Sequence, residues 1–501
     1  MKSTLLEIDP QHIANWLARL PYGQPERAAK LLVDVLLVLN EASLKVEQRQ
    51  QLTTLYDEAV SQLVLVAEKN LALEEISAST GAQALASMTL AALSAVFVNW
   101  KICLDGLMAE RGWFKREQPR IELLERTLNC ALTTLSWAKQ TYLPLPRGFW
   151  VDCHSLYRLA EKQGWVRNNR GDKADARLLY QQLLLLGLTD TNRLTEDDIR
   201  WLRLTLPQLA GKIRLKPLAE VQEPRGVYVA DTESDFPPRF MQLVPRGEGV
   251  WLWLDLEEVI ADLTARIAAT VPNDGRTNEA PVADESAELM QKLVQDWTQP
   301  QRRRHNRTSA NNELTVISQM SGIWYKLNGE RWQPMGQMES LASAVRRPPA
   351  PPNTMGVVNQ SPIGLMLRGQ TQGHSLRTGD ILLAYQDGSE CLGLFFVRWM
   401  TLQAGRPEVE CGIERISHEA RPAEALASIT HNTDAFQFGL LLPGEPKLGI
   451  SERLVMAGRP FSRLREFRLR DESGERLIRL TRVVNQSPYY QVMEFRLSDD
   501  F

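Results

Sequence analysis

The stretch Met355-Gly356-Val357-Val358-Asn359-Gln360-Ser361-Pro362-Ile363-Gly364-Leu365-Met366-Leu367-Arg368 is two short apolar runs joined by a polar turn. Residues 355–358 and 364–368 read as strands, and the Asn, Ser, Pro and Gly between them supply turn chemistry. The same pattern continues on both sides. Leu314–Ile317, Gly322–Leu327, Asp380–Tyr385, Leu392–Trp399 and Glu408–Ile416 are further strand candidates, punctuated by Gly and Asp. Short strands that close on themselves suit a barrel, because closure leaves no unpaired edge. Arg346–Pro352 is too rich in proline for a strand and reads as a long connection.

Upstream the texture is helical. Residues 1–210 predict an all-helical domain. Asp9 with Pro10 forms a helix start, and Ile13, Trp16, Leu17 and Leu20 follow at helical spacing. Leu52, Leu55, Tyr56, Ala59, Leu63 and Val66 form one stripe that needs partner helices. Thr195 before Glu196, Asp197 and Asp198 opens a last helix with the acidic residues its dipole favours. Trp100, Trp113, Trp137, Trp150, Trp165 and Trp201 read as packing residues. Residues 211–286 read as a small α+β module or connector with a linker. Residues 287–422 form the barrel, with an insertion near 328–352. Residues 423–501 are a β-rich extension or a degenerate second barrel. The expected fold class is therefore multidomain α and β: a helical N-terminal half and a C-terminal antiparallel β-barrel with a β extension.

A chain of 501 residues suits about three domains. Lys and Arg number 58 against 61 Asp and Glu, a net charge of −3, which argues against a surface that wraps a polyanion throughout. Five cysteines contain no CxxC pair, and six histidines include no HExxH, so neither a disulfide framework nor a metal site is indicated. The N-terminus lacks the pattern of an export signal, and the expected location is cytoplasmic. Ile76–Trp100 carries no charge but is rich in Ala, Ser and Thr, and it reads as a buried helix rather than a transmembrane segment. No nucleophile–base spacing or Walker loop points to an enzyme.

The chemistry lies in an arginine cluster followed by an NxSxxG turn. Gln301-Arg302-Arg303-Arg304-His305-Asn306-Arg307 places Arg303 and Arg307 four apart, and Asn359, Ser361 and Gly364 form the turn. Arginine forks suit phosphate oxygens and guanine edges, Asn offers a donor and an acceptor, and Ser adds a hydroxyl. Either half alone is unspecific.

Together they resemble the PilZ family, the cyclic di-GMP receptor module of bacteria, over about Arg302 to Ser417. That family has an RxxxR segment just before its barrel and a D/N-x-S-x-x-G motif on it. Gly393-Leu394-Phe395-Phe396-Val397-Arg398-Trp399 and Cys411-Gly412-Ile413-Glu414-Arg415-Ile416 resemble its later strands. The resemblance places a PilZ domain in the C-terminal part of a larger protein and implies cyclic di-GMP as ligand, with no other cofactor. It implies that Arg303 and Arg307 clamp phosphate and guanine groups, with Arg302 or Arg304 assisting. Asn359 takes a guanine edge, Ser361 a phosphate or sugar, and Gly364 shapes the surface. About fifty residues between the motifs exceed a compact PilZ barrel, so the insertion is expected to cover the ligand or mediate dimer contacts. An unidentified protein partner is expected through the helical half. The alternatives are a scaffold whose barrel binds no nucleotide and, behind it, an RNA- or DNA-binding protein using Arg302–Arg304.

Finally, Val357–Pro362 recurs word for word as Val483–Pro488, followed by Tyr489-Tyr490 instead of Ile-Gly. The second copy lacks the motif glycine.

Overall fold

The computed structural model describes residues 7–73, 77, 79–110, 117–167, 175–221, 225–243, 250–270, 285–298, 306–332, 349, 351–371, 376–386, 390–403, 406, 408–428, 436–444, 449–458, 460–461, 465–487 and 489–498. Two compact units emerge: residues 1–191 with 196–266 and 290–301, and residues 192–195 with 267–289 and 302–501.

The first unit begins with helices α1 (Pro10–Leu17), α2 (Pro25–Glu41), α3 (Val46–Leu73), α4 (Thr80–Ala109), α5 (Glu117–Gln140), α6 (Phe149–Gln163), α7 (Ala176–Leu188) and α8 (Glu196–Ala210). Helix starts follow the capping chemistry of the sequence. The Asp9 carboxylate accepts the Gln11 N–H at 2.9 Å, Ser79 Oγ the Ala82 N–H at 3.1 Å, and Asp175 the Leu178 N–H at 2.8 Å. Among the described residues, α4 is the one helix long and apolar enough to cross a membrane, and 61% of its most apolar window is buried inside the protein. It packs against α2, α3 and α5. Its polar groups find partners there. Asn99 accepts from the Arg49 guanidinium at 3.0 Å, and the Trp100 indole donates to Asp57 at 3.1 Å. Trp100, Trp137, Trp150 and Trp165 are buried. Trp113 lies outside the described residues.

Next come strands β1 (Arg214–Pro217), β2 (Arg225–Asp231), β3 (Arg239–Leu243) and β4 (Trp251–Asp255), forming a four-stranded antiparallel sheet in the order β1-β4-β2-β3. Tyr228, Leu252 and Leu254 lie on its buried face. The β2–β3 connection reaches back to α6, where Asp235 accepts the N–H groups of Gly148 and Trp150 at 2.6 and 3.0 Å. Helices α9 (Glu257–Thr270) and α10 (Glu285–Thr298) follow, and the Tyr228 hydroxyl donates to the Asp296 carbonyl at 2.6 Å.

The second unit holds two closed antiparallel barrels. The first contains β5 (Thr308–Ser309), β6 (Glu313–Ser318), helix α11 (Met320–Leu327), β7 (Asn353–Ser361), β8 (Gly364–Gly369), β9 (Ile381–Gln386), β10 (Glu390–Leu402) and β11 (Val409–Ser417). Its ring runs β6-β7-β8-β11-β10-β9 and returns to β6, with β5 continuing the β6 edge along β7. The second contains β12 (Arg421–Ala427), β13 (Gln437–Leu442), β14 (Arg453–Ala457), β15 (Glu466–Asp471), β16 (Gly474–Gln486) and β17 (Tyr490–Leu497), closed as β12-β13-β14-β17-β16-β15. Numbered along the chain, both rings have the order 1-2-3-6-5-4. The second barrel is thus a topological copy of the first.

Alternation explains how the barrels join. In the second barrel Leu441, Leu454, Met456 and Met493 point into its interior. Their neighbours Leu440, Leu442, Val455 and Val492 point outward into a shared core with Ile381, Leu383, Tyr385, Leu394 and Phe396 of the first. Strands apolar on both faces therefore read as unbroken apolar runs such as Leu440-Leu441-Leu442.

Two sequence expectations are corrected here. Gly322–Leu327 is not a strand but belongs to α11, because Met320, Ile323 and Trp324 fall on one helical face and all are buried. A short apolar run does not separate the two periods by itself. The PilZ-like barrel is also not the C-terminal part of the fold, since a second closed barrel follows it. The described part of the 328–352 insertion joins α11 on the second barrel. The Trp324 indole donates to the Ala423 carbonyl at 2.9 Å, and the Trp332 ring lies tilted 5.8 Å from that of Phe438.

Candidate ligand-binding site

The NxSxxG turn closes the β7–β8 hairpin. Ser361 Oγ accepts the Gly364 N–H and donates to the Gly364 carbonyl, both at 3.1 Å. A bulge between Val357 and Asn359 precedes it and resets which side chains face outward. Asn359 is partly exposed, with its amide nitrogen 3.1 Å from Met366 Sδ. Gly364 lies against β11, where a Cβ would run into the Ile413 carbonyl. The Ile363 carbonyl accepts the Arg415 N–H at 2.8 Å, tying the turn to the same strand. Burial holds the Arg415 guanidinium below its ordinary pKa.

Strand β5 carries the end of the arginine segment to this turn. Thr308 pairs with Gln360 and Ser309 with Asn359, so Arg307, the preceding residue, enters the sheet beside Ser361. Arg307 is exposed and has no ion-pair partner among the described residues. Arg302, Arg303 and Arg304 lie outside the described residues.

Register also assembles residues that the motifs did not point to. Across the outer face, Asn359 pairs with Met366, Met366 with Gly412 and Gly412 with Trp399. Trp399 is half-buried and lies over Gly412, whose missing side chain makes room for the indole. The next outer row is Ser361, Gly364, Glu414, Phe396 and Ile381. Trp399 shares this face only because Arg398 forms a bulge that shifts the β10–β11 register. An unbroken strand reading of Leu392–Trp399 carries no sign of that shift. The result is a partly exposed strip offering an arginine, a carboxamide, a hydroxyl and an aromatic surface, a set suited to a guanine nucleotide. Among the described residues no group of three His, Cys, Asp or Glu gathers as a metal site.

Known proteins agree with this architecture. Three family models match: "Cyclic-di-GMP receptor FimW, N-terminal domain" over residues 11–220, "Cyclic-di-GMP receptor FimW, middle PilZ domain" over 227–340, and "FimW C-terminal beta-barrel domain" over 423–498. This chain is a FimW-like multidomain protein. Its PilZ domain is the middle one, which corrects the C-terminal placement expected from the motifs. A curated relative, the cyclic-di-GMP receptor FimW of Pseudomonas aeruginosa (strain PAO1), is 22% identical over 555 residues, spanning 98% of this chain and 91% of the relative. No solved structure matches. The matched PilZ residues of the FimW-like chain run from β2 through α11 and end before Asn359.

The repeated word in this FimW-like chain forms a similar turn in a different place. Ser487 Oγ accepts the N–H groups of Tyr489 and Tyr490 at 3.2 Å, after a bulge between Val483 and Asn485. It closes β16–β17, strands five and six of its barrel, whereas the first copy closes strands two and three. Arg377 of the first barrel stacks on Tyr489 at 4.1 Å, and a Cβ on Gly379 would lie 3.2 Å from that of Ser487. This second turn is occupied by the contact between the barrels.

Proposed function

We propose that this chain is a cyclic di-GMP receptor whose ligand lies on the outer strip of the first barrel. In this reading Arg303 and Arg307 clamp phosphate and guanine groups, and Arg302 or Arg304 assists. Asn359 takes a guanine edge, Ser361 meets a phosphate or sugar oxygen, and Gly364 lets the ligand approach the backbone. The observation that supports it is the β5–β7 pairing, in which Thr308 and Ser309, directly after Arg307, lie against Gln360 and Asn359 of the NxSxxG turn. Charge-assisted bonds from arginine to phosphate supply affinity, and the paired donor and acceptor of Asn359 supply guanine preference. No reaction step is involved. The reading further holds that the chain works in the cytoplasm with α4 as a core helix, and that it acts on a protein partner through the helical half. Self-association as a homodimer belongs to the same reading.

Calorimetric titration of the full chain with cyclic di-GMP tests it. Arg303→Ala and Arg307→Ala are each expected to weaken binding at least about tenfold, since a hydrogen bond to a charged group is worth about 1.5–3 kcal/mol. Melting temperatures should be unchanged. Unaltered affinity in both variants rejects these residues, and no binding by the unmodified chain leaves a scaffold with a non-binding barrel.

A further inference from the structure

The outer strip ends on an ion pair that neither motif includes. Glu414 sits directly across from Gly364 in the β8–β11 pairing and directly across from Phe396 in the β10–β11 pairing. It therefore stands between the motif glycine and the core that joins the two barrels. Its partner is Arg398, whose Nε donates to Glu414 Oε2 at 2.8 Å and whose guanidinium lies 5.2 Å from the Phe396 ring. The two side chains are 38% and 42% exposed. Arg398 is the bulge residue next to Trp399. A bulge re-aims a side chain, and here it turns the guanidinium toward the strip.

Position makes the pair more than surface decoration. Going across the face from β5 the order is β7, β8, β11, β10. Arg307 approaches from one side and Arg398 from the other. From β7 to β10 is three strand spacings, about 14 Å followed along the curved outer surface of the barrel. A carboxylate at that place repels phosphate, yet it holds a cation beside Trp399 with one exposed, single-pronged contact. Such pairs are weak and salt-screened, so an incoming phosphate or guanine edge that offers two oxygens or nitrogens to the fork outcompetes the single carboxylate oxygen.

We propose that Arg398 is a further ligand-binding arginine, held in reserve by Glu414 and handed to the far end of the bound cyclic dinucleotide. This rests on the receptor reading above and adds a second clamp opposite the arginine segment. Glu414 acts as a positioning residue that lowers affinity in exchange for keeping Arg398 in place.

Titration of the full chain with cyclic di-GMP at low salt separates the possibilities, with Arg398→Ala, Glu414→Gln, the double variant and Arg307→Ala side by side. Arg398→Ala is expected to weaken binding about tenfold, as loss of a charge-assisted contact does. Glu414→Gln is expected to tighten it severalfold, and that gain should vanish in the double variant. Melting temperatures of the ligand-free variants report folding independently. A loss with Glu414→Gln as large as that with Arg398→Ala makes the pair structural and overturns the proposal. So does wild-type affinity in Arg398→Ala when Arg307→Ala is impaired, and this outcome leaves the receptor reading standing. Absence of binding in the unmodified chain removes both.

Discussion

A methyl group on residue 364 would press on the Ile413 carbonyl, so this glycine is required by the approach of β8 to β11 and not by its own backbone angles. The same position is where a bound ligand would touch the main chain. Gly364→Ala is therefore expected to do two things at once. Forcing β8 from β11 should destabilise the fold by about 1–3 kcal/mol, and the displaced turn should bind ligand more weakly. Chemical denaturation and a ligand titration on the same variant check both. Full stability with full affinity would show that the strands yield and that the close approach is incidental. Gly412 meets a different demand, since it leaves room for the Trp399 indole. The NxSxxG pattern made Gly364 legible in the sequence. Nothing in the sequence pairs Gly412 with Trp399, because the pairing depends on a bulge at Arg398 that shifts register by one residue.

Helix α11 is the element on which the two barrels meet. It sits in the connection between the first and second ring strands of the first barrel and lies on β12 and β13 of the second. Trp324 is fully buried, donates to the Ala423 carbonyl and packs 4.6 Å from the Phe438 ring. Trp324→Phe keeps an aromatic ring but removes the hydrogen bond and part of the indole's volume, at a cost of about 1–3 kcal/mol. Trp324→Ala also empties the joint and should cost about 3–5 kcal/mol. Equilibrium unfolding of the full chain measures the difference, and equal stabilities for the two variants would mean that packing at this joint is loose. The element was misread from sequence as a strand. Eight residues with apolar side chains at 320, 323, 324 and 327 satisfy a helix, but the run Gly322–Leu327 by itself satisfies a buried strand as well. What decided it was a surface on the second barrel shaped to take a helix face. The repeated Val-Val-Asn-Gln-Ser-Pro word is the converse case. Its bulge falls at the corresponding residue, but Ser487 caps the N–H groups of Tyr489 and Tyr490 where Ser361 bonds Gly364, and Tyr489 carries the stacked Arg377 of the first barrel.

For the whole molecule, function depends on whether ligand at the strip changes anything beyond the strip. Helix α10 ends at Thr298, a few residues before the arginine segment in the sequence, and Glu414 pairs with Phe396, which lies in the core shared by the barrels. In the proposed reading, ligand held by Arg307 and Arg398 would act outward through the joint between the barrels. Hydrogen exchange with and without cyclic di-GMP should show slowed exchange at 306–312 and 359–366 and a change in α10, and solution scattering should shift with it. Identical profiles away from the strip would defeat the switch and leave simple binding. The helix starts at Asp9 and Pro10, the acidic opening of α8 and the strand runs near 314–317, 355–358, 364–368, 380–385, 392–399 and 408–416 were determined by the sequence itself, since capping and periodicity are local and need few partners. The arginine spacing and the NxSxxG turn, as residue types, only suited a phosphorylated ligand; cyclic di-GMP followed from their combined resemblance to the PilZ family. Only the tertiary structure decided that the barrel occurs twice with one strand order, that its outer strands are apolar on both faces, and that Asn359, Trp399, Glu414 and Arg398 share a surface. Those facts rest on pairing between strands far apart in the chain, where a single bulge moves every following side chain to the other face.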